Sequence, residues 1–409
     1  MAGVPKRLKI AVLVRNFVTT GGAERYAVEV TRRLAREHEV YVFAETWDEK
    51  LCTALTMHRV PKYLGKPSFL NLLLFSRHVE SLLDRRFDVI HSHERVKRFD
   101  VLTVHCPCFR GFITEKQSWF RKLIVWLSVV TSPRSLSYLW LEKQQFDVKG
   151  RKKVLIAVSK NVKVDVQRNY QVPDDAFVIG YPGVEAVDVK DALLLEKASS
   201  LRRKYGIGKD DLAVLFVGTE FRRKGLDHLL RALTRIKDPR IKLVVVGGGD
   251  IEKYQGQARD LDIGDRVVFA GLVPDVFAHY LLADIFVLPT LSDPGPMSAL
   301  EAMYCGVATV MSGTAYCGTA ERIMNHEAIL LQDPRDHEEI GRALHRLRDR
   351  DVRQELAAKG QRLARQLTWE DTVKATLEAY EKMAGGIARR SKEDGEMADR
   401  VGEGGTECR

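Results

Sequence analysis

A chain of 409 residues is too long for one ordinary domain, and its 45% hydrophobic content is enough to build two cores. No stretch reaches the roughly 18 consecutive apolar residues of a membrane-spanning helix. The net charge is +10, and residues 1–180 contain 31 lysines and arginines against 18 acidic residues, or +13. This local excess predicts an anionic partner: a membrane surface, a phosphorylated acceptor or a nucleic acid.

The first half of the chain alternates predicted strands with predicted helices. The apolar run that starts at Ile10 superficially resembles a signal peptide, but Arg15 interrupts it, so we interpret the run as a first strand. A helix with Tyr26, Val30 and Leu34 at helical spacing follows. The first helix is predicted at residues 23–37, and the strands of this half at residues 9–14, 40–44, 87–91, 101–105 and 154–158.

A second alternation begins at Leu212, after a turn-rich stretch at residues 180–183. Alternating strands and helices are typical of parallel sheets flanked by helices. We therefore predict an α/β protein with two Rossmann-like domains, at residues 1–180 and 181–368. The strands of the second half are predicted at residues 213–217, 242–246, 266–269, 285–288 and 308–311.

The end of the chain is predicted to have two parts. Residues 369–384 form a last amphipathic helix, for which packing back on the first domain is one option. Residues 385–409 are charged, glycine-rich and poor in large apolar side chains, so we expect a disordered tail.

Residues 112–146 depart from the α/β pattern because they are rich in tryptophan and basic residues. Three of the chain's five tryptophans lie here: Trp119, Trp126 and Trp140. Aromatic side chains among lysines and arginines are typical of a helix in a membrane interface, and a helix pair in a domain core is the alternative. We predict a cytoplasmic protein, with reduced cysteines, that is peripheral at the inner face of the cell membrane.

Candidate ligand-binding residues of the first half follow its predicted strands. Gly21 and Gly22 open a helix, where glycine lets the backbone approach a ligand and helix amides favour an anion, although a tight turn explains them equally well. His105 ends one strand, and His91 and His93 end the strand before it. Because strand carboxyl ends line the ligand crevice of open parallel sheets, a functional and a structural role for these histidines are equally favoured.

Two cations, Arg223 and Lys224, precede a predicted helix in the second half. Positive charge at a helix start is unfavourable to the helix dipole. A bound diphosphate would compensate this charge, and a solvent-exposed pair is the alternative. We therefore predict that these side chains bind a diphosphate.

An acidic pair, Asp293 and Glu301, lies eight positions apart later in the second half. A helix that begins near Met297 would turn the free amides of Met297 and Ser298 towards a phosphate. Carboxylates accept hydrogen bonds from sugar hydroxyls, so the cations and the acids together indicate a nucleotide-sugar site. The alternative is a helix-capping aspartate and an unrelated helical glutamate.

No metal site is predicted. Two Asp-x-Asp triplets, at residues 260–262 and 349–351, lie in polar helices or helix ends, and the cysteines lack zinc-site spacing. The glycines at residues 247–249 lack the full spacing of a dinucleotide fingerprint, so a turn that leaves room for a ligand is the favoured interpretation.

These motifs together resemble glycosyltransferase family 4, whose members have the two-domain GT-B fold. Within the family, the closest likeness is to the lipopolysaccharide core glucosyltransferases of Gram-negative bacteria. The resemblance covers the chain to about residue 384 and is carried by Gly21-Gly22-Ala23-Glu24, Asp88-Val89-Ile90-His91-Ser92-His93, residues 218–225, and Asp293 to Glu301 with the seven residues between them. Asp293 stands where the family has glutamate, and Pro296, which has no amide hydrogen, stands where it usually has glycine.

The resemblance implies a reaction. A hexose, in the closest relatives glucose, would pass from a nucleotide diphosphate sugar such as a UDP-sugar to a membrane glycolipid such as the lipopolysaccharide core. The transfer would retain the anomeric configuration and need neither a metal nor a cofactor beyond the donor. The acceptor would bind the first domain and the nucleotide-sugar the second, on either side of a central cleft, and no nucleic-acid partner is expected.

The same resemblance implies residue roles. His105, Asp293 and Lys224 would be the catalytic residues, with His105 near the acceptor and the anomeric carbon. Asp293 would contact the sugar hydroxyls of the donor, and Glu301 its ribose. The remaining donor-binding residues would be Gly21, Gly22, Arg223, Met297 and Ser298, together with Lys224.

Two other classes of function stay open at this point. The glycines at residues 247–249 are also consistent with a nucleotide-sugar epimerase or a nicotinamide-dependent oxidoreductase of similar fold. Asp293 and Pro296 are also consistent with an inactive, membrane-binding relative of such enzymes.

Overall fold

The computed structural model describes residues 7–62, 64, 68–83, 87–114, 128, 129, 131–148 and 153–402. The chain divides into two compact units. The first contains the described residues up to Val158, those of Val162–Gly180 and those from Glu370 onward, and the second contains Ser159–Asn161 and Tyr181–Trp369. Each unit is built on a parallel sheet, which confirms the predicted α/β class.

The first unit contains a parallel sheet with short apolar strands. Its described strands are β1 (Lys9–Leu13), β2 (Asn16–Phe17), β3 (Glu39–Ala44), β4 (Thr46–Trp47), β5 (Thr56–Arg59), β6 (Val89–Ser92), β7 (Val101–Val104), β8 (Val154–Ala157) and β9 (Phe177–Ile179). Seven of these described strands form one sheet in the order β5-β3-β1-β6-β7-β8-β9. Because β1, β6 and β7 are parallel, the residues that follow them lie at one edge of the sheet.

The helices of this part of the chain include one that follows the first strand closely. The described helices are α1 (Gly22–Leu34), α2 (Ser68–Leu82), α3 (Phe109–Thr114), α4 (Pro133–Phe146) and α5 (Lys160–Tyr170). In α1, Glu24 lies in the first turn and Arg32 and Arg33 in the last, which suits the helix dipole. The residues predicted for its apolar face, Tyr26, Val30 and Leu34, are buried.

The second unit has its own parallel sheet. Within the described residues its strands are β10 (Leu212–Val217), β11 (Ile241–Val246), β12 (Val267–Gly271), β13 (Ile285–Leu288), β14 (Ala308–Ser312) and β15 (Ile329–Leu331), in the order β12-β11-β10-β13-β14-β15. Every residue of β13 is buried, as expected of a strand covered on both faces. The neighbouring strands β10 and β13 are parallel, so the loops after them share one edge of the sheet.

Aspartate side chains begin several helices of the second unit. The helices are α6 (Ala192–Lys204), α7 (Leu226–Thr234), α8 (Ile251–Asp260), α9 (Phe277–Leu282), α10 (Met297–Tyr304), α11 (His337–Arg346) and α12 (Arg350–Ala364). The carboxylate of Asp349 accepts hydrogen bonds from the first backbone amides of α12, and those of Asp191, Asp250 and Asp336 do the same for α6, α8 and α11. One acid of the second Asp-x-Asp triplet is therefore a helix cap.

The last helix, α13 (Trp369–Gly402), joins the first unit from Glu370 onward. The hydroxyl of Tyr380 lies 2.8 Å from Nδ1 of His91, and Nζ of Lys382 donates to the carbonyl oxygen of Phe177 at 3.1 Å. The helix continues past residue 384, where the sequence prediction ended it and placed a disordered tail. Alanine, arginine, glutamate and methionine in this stretch favour a helix even without an apolar face.

The tryptophan-rich segment is described only in part. Trp119 and Trp126 lie outside the described residues. Trp140 lies on α4 and is 49% exposed, and Leu136, one turn earlier, is 45% exposed. Within the described residues, every helix is too short or too polar to cross a membrane.

Candidate functional site

Two loops at the carboxyl edge of the second sheet are held together by backbone contacts. The carbonyl oxygen of Arg223 accepts hydrogen bonds from the amide of Leu291 at 2.8 Å and from the hydroxyl of Thr290 at 3.2 Å. Gly225 has a φ of +81°, and a Cβ atom there would lie 1.9 Å from the carbonyl oxygen of Pro289. Only glycine permits this approach, so the loop after β10 is fixed against the loop after β13.

This approach brings Lys224 and Asp293 into contact. The ammonium of Lys224 forms an ion pair with Oδ2 of Asp293, and the two side chains are only 13% and 8% exposed. The Arg223 guanidinium lies 3.7 Å from the same carboxylate oxygen and donates to the carbonyl oxygen of Ser292 at 2.6 Å. Three predicted site residues therefore form one cluster, and Lys224 is not the solvent-exposed cation of the alternative interpretation.

Asp293 is fixed through its backbone. Its amide donates to the carbonyl oxygen of Tyr316 at 2.8 Å, and its carbonyl oxygen accepts from the amide of Gly318 at 2.9 Å. The residue before α10 is Pro296, and no side chain caps this helix. Asp293 is thus not a helix cap, and its carboxylate is held by the cations.

Helix α10 begins directly after this cluster. Met297 and Ser298 are its first residues, where backbone amides lack intrahelical acceptors, and its first turn contains no acidic side chain. This helix end can therefore receive an anion. Glu301 lies one turn further on, is buried, and accepts a hydrogen bond from the hydroxyl of Tyr280 at 2.7 Å. Its predicted contact with a ribose remains a prediction.

The glycines at residues 247–249 have a different role from the predicted one. A Cβ on Gly247 would lie 1.8 Å from the carbonyl oxygen of Gly218, and one on Gly249 would lie 2.4 Å from the ring of Phe221. The space at these two positions is filled by the chain itself. The prediction that this turn leaves room for a ligand is wrong there, because the glycines admit the loop after β10 instead.

In the first unit, Gly21 and Gly22 begin α1 as predicted. Gly21 precedes the helix in an extended conformation, and Gly22 is its first residue. A Cβ on Gly21 would lie 2.0 Å from Oε2 of Glu24, so the Glu24 carboxylate folds back over this turn. That this turn binds the donor remains a prediction.

The three predicted histidines lie together at the carboxyl edge of the first sheet. Nδ1 of His93 and Nε2 of His105 share a hydrogen bond of 3.0 Å, and the rings of His91 and His93 are 4.5 Å apart. Nε2 of His91 also lies 2.8 Å from the hydroxyl of Thr103. Burial lowers the pKa of both His91 and His105 to about 3, so these imidazoles are neutral at neutral pH.

Arg15, Glu45 and Glu94 lie at the same edge of the first sheet and were not singled out from the sequence. The Arg15 guanidinium pairs with Glu45 at 3.1 Å, and its amide donates to Oε1 of Glu94 at 3.1 Å. Burial raises the pKa of Glu94 to about 7, against the opposing effect of Arg15. Arg15 and Glu94 each lie two residues after a strand, β1 and β6 respectively, and this position was the signal in the sequence that could have identified them.

In the residues that the structure describes, no three or more histidine, cysteine, aspartate or glutamate side chains are placed to hold one ion. The predicted metal-independent reaction remains a prediction.

The chain matches two family models that together cover most of its length. Glycosyltransferase Family 4 matches residues 20–187, and Glycosyl transferases group 1 matches residues 198–363. The chain therefore belongs to the glycosyltransferases, and the predicted resemblance and enzyme class are confirmed.

Two relatives are similar in sequence to this chain over most of its length. It is 25% identical over 391 residues to an uncharacterized glycosyltransferase of Methanocaldococcus jannaschii, covering 91% of this chain and 98% of the relative. It is 22% identical over 342 residues to the lipopolysaccharide glucosyltransferase WaaG of Escherichia coli, covering 82% and 88%.

Solved structures share the fold. The crystal structure of WaaG superposes with a TM-score of 0.78 at 22% identity, over 92% of this chain and 100% of that one. The Anabaena protein HepE, in complex with UDP-glucose, superposes with a TM-score of 0.68 at 17% identity, over 93% and 100%. These likenesses confirm the GT-B fold.

Proposed function

We propose that the chain transfers a hexose from a nucleotide diphosphate sugar to a membrane glycolipid such as the lipopolysaccharide core. The observation that carries the proposal is the contact of Lys224 and Arg223 with Asp293, beside the first amides of α10. Two cations and a helix start bind a diphosphate, and a carboxylate next to them binds the hydroxyls of the attached sugar.

These groups also suit the chemistry of the transfer. As the bond to the anomeric carbon breaks, negative charge develops on the departing diphosphate. The cations and the helix amides stabilise that charge, because the loop contacts at Gly225 and Arg223 hold the backbone of both cations beside the start of α10. We propose that the reaction retains the anomeric configuration, as the family resemblance implies, and uses no metal.

The donor is proposed to be UDP-glucose. Supporting this, WaaG is described as a glucosyltransferase, and HepE was solved in complex with UDP-glucose. On the acceptor side, the proposal places His105 near the reacting hydroxyl. Its neutral imidazole can hydrogen-bond a sugar hydroxyl without carrying charge into the site.

The acceptor would be reached from a membrane surface at the cytoplasmic face. Exposed Trp140 and Leu136 on one side of α4, with exposed Arg134 and Lys143 on the same helix, support contact with an anionic interface. Replacing Trp119, Trp126 and Trp140 with serine should release the chain from anionic vesicles in a sedimentation assay. Unchanged sedimentation would contradict the membrane proposal, but it would not bear on the proposed transfer reaction.

The catalytic proposal is tested with Lys224→Ala. Removing this ammonium should abolish glucose transfer to a glycolipid extract and weaken UDP binding by about tenfold or more, measured by calorimetry. Lys209→Ala, which removes an exposed cation of the same unit, is the matched control and should change neither.

Two results would count against the proposal. Full turnover in Lys224→Ala would exclude this lysine from the donor site. UDP binding without transfer to any lipid extract would favour the inactive, membrane-binding relative, and a soluble product formed without an acceptor would favour an epimerase.

A further inference from the structure

A cationic groove lies at the opposite edge of the second sheet from the candidate donor site. Residues 235–238 and 240 line one side of it, residues of helix α11 and Arg348 line the other, and the groove has a volume of about 810 Å³. Residues 235–240 connect α7 to β11 and so precede a strand, whereas Lys224 and Asp293 follow strands. In a parallel sheet these are opposite edges.

The groove carries an excess of positive charge. Its two carboxylates belong to Asp238 and Glu338. Its cationic side chains are those of Arg235, Lys237, Arg240, Arg342 and Arg348, and His345 is also part of the lining. Five cations against two carboxylates leave a charge of +3 before any contribution from the histidine. Such an excess in a concave surface attracts and concentrates anions.

Asp238 holds two of the guanidinium groups in place. Its Oδ2 lies 3.0 Å from Arg240 and 2.8 Å from Arg348. The Asp238 side chain is 11% exposed and that of Arg240 is 59% exposed, so the carboxylate is an anchor beneath a largely open guanidinium. The hydrogen bonds from Arg240 lower the pKa of Asp238 to about 2, which keeps the anchor ionised. A guanidinium has five donors, so each arginine retains donors for a ligand.

The other cations are held more loosely. Glu338 lies 3.9 Å from Arg235 and 3.8 Å from Arg342, Asp336 lies 3.5 Å from Arg342, and all four side chains are exposed. Exposed ion pairs at such distances contribute little to stability, so a ligand can replace these carboxylates at small cost. Among the described residues, Lys237 has no hydrogen-bond or ion-pair partner, and it adds an unused ammonium to the groove.

We propose that this groove binds a small anion with two or more phosphate groups, at a site separate from the donor site. The planar forks of several arginines match phosphate oxygens in pairs, and the volume is that of a small-ligand pocket. Ile236 is the one large aliphatic residue among those that line the groove, and most of the others are charged, so recognition rests on charge and hydrogen bonds. The site goes beyond the proposed sugar transfer and does not depend on it.

Inorganic tripolyphosphate is the probe, titrated calorimetrically into Lys224→Ala so that binding at the candidate donor site is weakened. We expect binding in this background, and a loss of about tenfold or more in affinity when Arg235→Ala and Arg342→Ala are added. Arg203→Ala, which removes an exposed arginine on α6 outside the groove, is the matched control and should leave the affinity unchanged.

A second variant does not depend on that background. Lys237→Glu reverses an unpaired charge in the otherwise unchanged chain, and it should weaken tripolyphosphate binding without changing the melting temperature. Equal affinities with and without the arginine substitutions would overturn the proposal. So would an absence of tripolyphosphate binding in a folded Lys224→Ala chain.

The phosphate groups could belong to a soluble compound or to a lipid headgroup. Phosphatidylcholine vesicles that contain cardiolipin, whose headgroup has two phosphates, distinguish these sources. Vesicle binding that falls in the Arg235→Ala, Arg342→Ala chain supports a site for a headgroup. Vesicle binding that stays constant while tripolyphosphate affinity falls supports a site for a soluble anion.

Discussion

The ammonium of Lys224 is paired with the carboxylate of Asp293, and both side chains are mostly buried. Without a donor, the Asp293 carboxylate is therefore paired with the ammonium that a bound diphosphate would need. Removing one partner of such a pair leaves a charge without compensation, so the two residues depend on each other. This relationship makes the aspartate a competitor for the nucleotide as well as a ligand for the sugar.

Asp293→Asn should separate these two effects. The lysine loses its internal anion, so we expect UDP to bind more tightly, by about tenfold, because 1.4 kcal/mol corresponds to that factor. Transfer should nevertheless slow, since the contact with the sugar hydroxyls is weakened. Calorimetry with UDP and a transfer assay measure the two effects, with Asp333→Asn as an exposed control in the same unit. Weaker UDP binding in Asp293→Asn would argue against competition.

Gly225→Ala should destabilise the second unit. The left-handed φ of +81° disfavours alanine, and its Cβ would lie 1.9 Å from a carbonyl oxygen. We expect a loss of about 3 kcal/mol or more in the free energy of unfolding, measured with urea. Gly206→Ala is a matched control, because its φ is +66° but no atom lies within 4 Å of the added Cβ. That substitution should cost only about 1 kcal/mol. Equal losses of unfolding free energy in the two variants would show that the loop at residue 225 shifts to accommodate the added Cβ.

Tyr380→Phe tests the contact of α13 with the first unit. The change removes the hydroxyl next to Nδ1 of His91 and leaves a buried ring nitrogen without its partner. We expect a loss of about 1–3 kcal/mol in the free energy of unfolding. Tyr304→Phe is the control, because no described residue hydrogen-bonds that hydroxyl, and it should be nearly neutral. A neutral Tyr380→Phe would mean that this hydroxyl contributes nothing to the contact of α13 with the first unit.

The buried histidines predict a loss of stability in acid. Burial holds the pKa of His91 and His105 at about 3 in the folded chain, whereas a histidine in the unfolded chain has its ordinary pKa of 6.5. Between these values the unfolded state binds more protons, so the free energy of unfolding falls as the pH drops below 6.5. Each histidine contributes a slope of up to about 1.4 kcal/mol per pH unit. The slope is measured by urea unfolding at neutral pH and at a pH close to the folded-state pKa of about 3. His91→Asn should reduce this slope. A flat profile would indicate that these rings gain protons in the folded chain.

The sequence predicted the strands of both sheets well and the short edge elements poorly. Every predicted strand is present, with ends that differ by at most two residues. The unpredicted strands β9 and β15 have three residues each, and β5 is polar and mostly exposed. Such strands depend on a neighbour in the sheet for their conformation, so their own pattern is weak.

The candidate site was predictable as a set of residues and not as a set of contacts. Lys224 and Asp293 each stood out as a charge after a strand, but their pairing depends on two loops meeting at Gly225 and Pro289. The same limit explains why the glycine at residue 247 was misread. Its neighbour is a carbonyl oxygen of another loop, and no local pattern indicates that contact.

A crystal structure of the chain with a non-hydrolysable UDP-hexose analogue would show directly where the donor diphosphate binds. We expect its oxygens within hydrogen-bond distance of the Lys224 ammonium, the Arg223 guanidinium and the first amides of α10, with Asp293 on the sugar. A diphosphate bound away from these two side chains, or cations still paired only with Asp293 in the complex, would contradict the proposed donor site.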